Sequence, residues 1–241
     1  AFIQAGISNN TKVNIRWIDS EELEINDDPE VVFREIDGIL IPGGFGDRGI
    51  EGKIMSSKFA RDHNIPFFGI CLGMQCAVID YARHECNMKG ANSREFSKKT
   101  KYPVIDLMHA QKNIKQKGAS MRLGSYRCKV HAQTNAFRAY KKKQIDERHR
   151  HRYEFNNKYR KKLESKGLQV SGINEKLKLV EMIEIPSHPW FVGVQFHPEF
   201  TKNVMEKYLE IRYRKGIINS LPSVGECPKS SSILNNFIDN I

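Results

Sequence analysis

"PFFGICLGMQCAVIDYARH", residues 66–84, passes from an apolar run through a cysteine between two glycines into a periodic segment. Asn64 and Pro66 break the chain beforehand, and "PFFGI" reads as a buried strand. Beyond the cysteine, Met74, Ala77, Val78, Tyr81 and Ala82 fall at i, i+3, i+4, i+7 and i+8, one apolar stripe of a helix over 72–84. The turn Gly69-Ile70-Cys71-Leu72-Gly73 has the Gly-x-nucleophile-x-Gly form. Small flanking residues let the backbone pass closely while the central side chain projects above the sheet. The N-terminus of the following helix offers N–H groups to developing negative charge and favours thiolate over thiol. Cys71 is thus open to two readings, a nucleophile on a sharp turn or a small hydrophobe in a tight strand–helix junction.

Outward from this junction, "IDGILIPGG" (36–44) reads as a strand ending in glycines, and "KVNIRWID" (12–19) as another with Val13, Ile15 and Trp17 on one face. "SSKFARDHN" supplies a short helix between strands. Alternation of apolar strands with helices predicts an α/β fold, a doubly wound, mostly parallel sheet flanked by helices. In the middle, strands are expected near Val104–Leu107 and Tyr126–Val130, with "HAQKNIKQKGAS" as a solvated loop. "GLQVSGIN", "LKLVEMIEIP" and "WFVGVQF" predict successive strands of a smaller added antiparallel sheet or a sheet edge. From Thr201 the chain turns polar and basic, with a helix expected over 203–215 and a short terminal helix after 221–232. The whole of 1–241 reads as one domain. Its opening "AFIQAG" resembles the end of a helix, so an earlier strand is expected upstream.

Composition narrows the function classes. Hydrophobic residues make up 39% and charged residues 28%, and no run approaches the ~20 apolar residues of a membrane span. The five cysteines (71, 76, 86, 128, 227) lack zinc-like pairing, so no metal site is expected and they read as reduced thiols of a cytoplasmic protein. The formal net charge of +11 is concentrated in 138–162, "RAYKKKQIDERHRHRYEFNNKYRKK", which holds 11 Lys/Arg against 3 Asp/Glu. Such a patch steers any anionic partner. No zinc finger or RNA-reading motif accompanies it, so no nucleic-acid partner is expected.

A cysteine nucleophile needs a base oriented by a third group. "WFVGVQFHPEF" (190–200) offers His197 and Glu199, two apart and on one face of an extended segment, with Pro198 stiffening the backbone. The carboxylate would order the imidazole and favour the imidazolium; the alternative is a histidine that merely ends a strand. His109, His131, His149 and His151 fit the role less well. "PGGFGDRG" (42–49) follows a strand, and its glycines can bring N–H groups close to the cysteine turn. It lacks the Gly-Lys-Ser/Thr ending of a phosphate loop and the spacing of a dinucleotide fingerprint.

Taken together, "GILIPGGFGDRGIEGKI", "PFFGICLGMQCAVIDYARH", "GANSREF", "MRLG", "IDERHRHRYEFN" and "FVGVQFHPEF" resemble the class I, triad-type glutamine amidotransferases, in order over residues 12–200. "GANSREF" and "ERHRHRYEFN" resemble, more narrowly, the glutaminase domain of CTP synthases. The resemblance implies that Cys71 attacks the side-chain amide of L-glutamine, that His197 serves as base and then acid, and that Glu199 orients it. It implies an oxyanion hole from Gly44 and Leu72, and substrate contacts from Gly43, Gln75, Glu95 and Arg152, the last chosen among Arg148, Arg150 and Arg152. Gln75, four residues after Cys71, shares its helix face. No cofactor is implied for this part. ATP, UTP and Mg2+ belong to an N-terminal synthase domain absent from these residues, with GTP as activator and homo-oligomerisation a property of the full enzyme. Residues 201–228 read as an insertion, and Arg48 as either a coupling or a plain surface residue. The alternatives are the glutaminase domain of another amidotransferase and a silent interaction domain of the same fold.

Overall fold

The computed structural model describes residues 3, 5–6, 9–25, 28–107 and 121–200. The expected loop at 109–120, the helices beyond 203 and the 201–228 insertion lie outside the described residues. The elements are α1 (Ser20–Ile25), α2 (Pro29–Val32), β1 (Ile39–Ile41), α3 (Ile50–Asp62), β2 (Phe67–Ile70), α4 (Leu72–His84), β3 (Ala91–Ser93), β4 (Tyr102–Leu107), β5 (Arg122–Val130), α5 (Asn135–Tyr140), β6 (Gln144–His151), β7 (Tyr153–Phe155), α6 (Arg160–Glu164), β8 (Gln169–Asn174), β9 (Leu179–Glu184) and β10 (Phe191–Val194). None of the described helices is long and apolar enough to cross a membrane.

β2 is buried at all four residues, as a strand covered on both faces must be. Its alternate side chains enter two apolar clusters. Phe67 joins Phe191 of β10, their rings stacked at 4.3 Å, in the cluster that also holds the inner faces of α3 and α4. Phe68 and Ile70 join Trp190, Val192, Val194 and Phe196 on the other side.

The main sheet has seven strands in the order β1-β2-β10-β9-β8-β5-β6. β1, β2 and β10 run parallel, and the remaining pairings from β10 to β6 are antiparallel. The α/β architecture is the expected one, but its parallel part is confined to three strands. β8, β9 and β10, expected as an added sheet or edge, lie instead inside the main sheet. All six residues of β9 are buried, the mark of an interior strand. The small second sheet is β3-β4-β7, parallel in its first pairing and antiparallel in its second.

The strand expected at 12–19 does not form; residues 11–19 have no regular structure, and Trp17 is 87% exposed. A period-two pattern names the face a strand would bury, but a strand also needs a neighbour to complete its ladder. β1 pairs with β2, and no ladder joins it to 12–19.

The β2–α4 turn rests on close backbone approach. A Cβ on Gly69 would lie 2.7 Å from the Gly73 carbonyl carbon and 2.8 Å from Met74 N, and one on Gly73 would fall on the Ile41 carbonyl oxygen. These obstacles are backbone and cannot rotate away. We therefore expect Gly73→Ala to cost about 3 kcal/mol or to prevent folding. Gly90→Ala, at a positive φ of 78° with nothing within 4 Å of the added Cβ, should cost only about 1 kcal/mol. Urea denaturation of the two variants measures the difference.

Candidate active site

Cys71 caps the N-terminus of α4 with φ 52° and ψ −100°, a conformation that L-residues rarely hold. The strain is fixed from both sides. Its N–H donates to the Val194 carbonyl at 2.7 Å, and its carbonyl accepts from Gln75 N–H at 3.2 Å. The side chain is thereby set at the end of the parallel strands, 3% exposed. The helix N-terminus was expected to favour thiolate. Leu72 N–H does act on the sulfur in that direction, but burial outweighs it, and Glu199, Glu154 and Glu95 add repulsion, so the thiol is pushed up to about 12. In this environment Cys71 rests as a thiol.

His197 follows β10. Its backbone N–H donates to the Arg148 carbonyl at 2.8 Å, and its ring stacks on Phe200 with centroids 4.7 Å apart. His197 Nδ1 lies 2.7 Å from Glu199 Oε1. An ionised carboxylate only accepts, so Nδ1 carries a proton, and in the neutral ring the lone pair is at Nε2. Nε2 is buried and without a hydrogen-bond partner among the described residues. The segment is not extended as expected. Pro198–Phe200 forms a 3-10 turn, and the turn swings Glu199 back to the ring. A Cβ on Gly43 would lie 2.5 Å from His197 Cε1 and 3.5 Å from Cys71 Cβ. The loop after β1 therefore passes close to both side chains, at a place where a residue with a Cβ would run into His197.

Beside Cys71 opens a cleft of about 250 Å³ including its mouth, lined by Gly44, Phe45, Leu72, Gln75, Glu95 and Arg152, with His151 and Tyr153. Five of the residues singled out from sequence thus meet around the cysteine, while Gly43, His197 and Glu199 are not part of the cleft's lining. Glu95 accepts a hydrogen bond from Gly46 N–H; burial raises its carboxyl, and Gly46 N–H and the Arg152 charge oppose that rise. Gln75 Nε2 donates to the Tyr153 carbonyl at 3.0 Å.

Of the three arginines considered, Arg152 is the one that lines the cleft, and it does so because the strand ends before it. Along β6, Ile145, Glu147, His149 and His151 point inward and Arg148 and Arg150 outward. Arg152, just past the strand, turns into the cleft, and its Nε is buried without a partner among the described residues. Arg150 instead lies over the Phe45 ring at 5.7 Å. Arg48 is exposed and pairs with Glu21 of α1 at 2.7 Å.

Sequence reasoning missed two features. Gln195 is fully buried, accepts from Gln75 Nε2 at 3.3 Å and donates to Cys71 Sγ at 3.8 Å. Behind the cleft, Arg122 donates to Glu181 at 2.6 Å and lies 3.6 Å from Glu154, with His149 and His151 in contact at 2.8 Å. Burial and the Arg122 charge lower both histidines well below the usual range, so they sit neutral. The alternation in "QIDERHRH" was the signal that this basic-looking stretch hides an inward polar face.

Comparison with known proteins identifies the family. The family model for glutamine amidotransferase class-I matches residues 1–214. The chain is 59% identical over 205 residues to a CTP synthase of Chloroherpeton thalassium, covering 85% of the chain and 37% of that relative. It is also 59% identical over 195 residues to a CTP synthase of Clostridium acetobutylicum, covering 81% and 36%. It thus spans little more than a third of the length of the curated relatives it matches. Among solved structures, the glutaminase domain of Trypanosoma brucei CTPS with bound acivicin superposes with a TM-score of 0.79 at 34% identity, covering 95% of this chain and 90% of that one. A glutamine amidotransferase of Thermotoga maritima, at 17% identity and a TM-score of 0.54, shares the fold. The chain belongs to the class-I glutamine amidotransferases and, within them, to the glutaminase domains of CTP synthases.

Proposed function

We propose that the chain hydrolyses the side-chain amide of L-glutamine through a Cys71 thioester, and that the ammonia serves CTP formation from UTP and ATP in a synthase domain of the full enzyme. The observation that carries the reading is the convergence of Cys71, an unpartnered His197 Nε2 and the Arg152 cleft around the Gly43–Gly44 loop.

The chemistry follows from the protonation states. The Cys71 sulfur attacks the amide carbon as its proton passes to His197 Nε2, and Glu199 stabilises the imidazolium through Nδ1–H. The carbonyl oxygen becomes an oxyanion held by N–H groups of Gly44 and of Leu72 at the start of α4. His197 returns the proton to the amide nitrogen, the carbon–nitrogen bond breaks, and ammonia leaves a glutamyl thioester. Water then attacks with His197 as base, releasing glutamate and the thiol. Because the thiol rests protonated in a buried site, transfer to His197 accompanies attack rather than preceding it.

The amino-acid end of glutamine lies along the cleft. Arg152 offers its fork to the α-carboxylate, while Glu95 and the Gln75 side-chain oxygen face the α-ammonium. Gly43 leaves room for the His197 ring near Cys71. The full enzyme would bring the synthase domain, with ATP, UTP, Mg2+ and an activating GTP, and the oligomeric contacts. Among the described residues, the free buried thiols at Cys71, Cys76, Cys86 and Cys128 support a cytoplasmic setting.

Glutamate release from L-glutamine tests the reading. The parent chain is expected to be active and Cys71→Ala to lose at least about a thousandfold in kcat/KM. If neither is active alone, the pair is compared with the synthase domain and a guanine nucleotide added. Equal activity in both overturns the assignment. Arg152→Met should raise the KM for glutamine by about 10–100-fold, the worth of hydrogen bonds to a charged group, with a smaller change in kcat. Steady-state kinetics at matched enzyme concentration separates the two effects.

A further inference from the structure

Two glutamine side chains link the substrate cleft to the sulfur, and their orientation follows from a backbone carbonyl. The Tyr153 carbonyl can only accept, so the Gln75 group 3.0 Å away is its NH2. The same Nε2 lies 3.3 Å from Gln195 Oε1, which spends the second amide proton there. Gln195 Nε2 is thereby turned to Cys71 Sγ at 3.8 Å. The Gln195 side chain is fully buried, and its backbone N–H is tied to the Glu181 carbonyl at 2.8 Å.

We propose that Gln195 donates to the Cys71 sulfur and stabilises it as charge develops there, with Gln75 and the Tyr153 carbonyl fixing the donor's orientation. This rests on the reading of Cys71 as nucleophile. A thiol is a weak acceptor and a thiolate a strong one, so the contact gains strength as the proton leaves. The need for it is plain from the surroundings. Glu199 on the 3-10 turn, Glu154 on β7 and Glu95 after β3 all oppose negative charge on the sulfur. Against them stand Leu72 N–H, Gln195 and the proton-accepting His197. The relay also gives Gln75 a second duty, since any shift of its amide within the cleft moves the donor on the sulfur.

The test is alkylation of Cys71 by iodoacetamide in the 241-residue chain, followed by peptide mass spectrometry as a function of pH, which needs no glutamine turnover and so fails separately from the proposed activity. Gln195→Glu keeps an acceptor for Gln75 and removes the donor; Gln195→Met removes both. At each pH below the thiol midpoint both variants should react about tenfold slower than the parent, the expected loss of one hydrogen bond to a charged group, with the other cysteines reacting as before. A variant with parent-like thermal unfolding and an unchanged Cys71 profile overturns the proposal. Should neither variant fold, the Gln195 side-chain amide resonance of the 15N-labelled parent must move when Cys71 is alkylated. An unmoved resonance overturns it as well.

Discussion

The backbone contacts between Gly69 and Gly73, and between Gly73 and Ile41, are the constraint on which the rest of the structure depends. They let α4 start against the ends of β1 and β2, closer than any Cβ permits. The cost appears two residues from each glycine, in the φ of 52° at Cys71. That strain is held because the Val194 carbonyl of β10 accepts the Cys71 N–H and Gln75 N–H of α4 donates to the Cys71 carbonyl. Three parallel strands thus anchor this turn, and the cleft beside it is walled by the loop after β1, the start of α4, Glu95 after β3 and the β6–β7 connection.

The electrostatics at this turn favour neither extreme. Burial strips water from the sulfur, and neighbouring carboxylates repel negative charge, so a free thiolate is disfavoured at rest. The histidine side is prepared instead. Glu199 fixes the Nδ1 proton, Phe200 supports the ring, and Nε2 is left buried without a partner. On the proposed reading, a site so arranged holds its proton until a substrate carbonyl arrives. The inward face of β6 plays a related part. His149 and His151 are neutral beside Arg122, so the positive charge that meets the cleft is chiefly that of Arg152.

Much of this was legible in the chain. The 72–84 stripe marks a helix that the structure begins and ends at the same residues. "PFFGI" and "IDGILIPGG" mark buried strands, because strands covered on both faces need continuous apolar runs. The turn at Cys71 could be read from its glycines, whereas Gln75, Glu95 and Arg152 came from the family resemblance; the four meet at one cleft. What failed has physical causes. Residues 12–19 alternate like a strand, but alternation does not supply a pairing neighbour. β8, β9 and β10 look alike at an edge and in the interior, since strand order is set by long-range pairing that local pattern does not encode. Gln195 carried no signal at all: a glutamine beside a strand end reads as surface until its burial against Cys71 is seen.

The central claim is that Cys71 reacts with the side-chain carbon of a glutamine seated in the Arg152 cleft. The most direct measurement is the site of covalent labelling by a diazo-ketone analogue of L-glutamine, mapped by peptide mass spectrometry with and without competing L-glutamine. Labelling confined to Cys71 and suppressed by L-glutamine but not by D-glutamine is the predicted result. Labelling at another residue, or at Cys71 without protection by L-glutamine, would contradict the account.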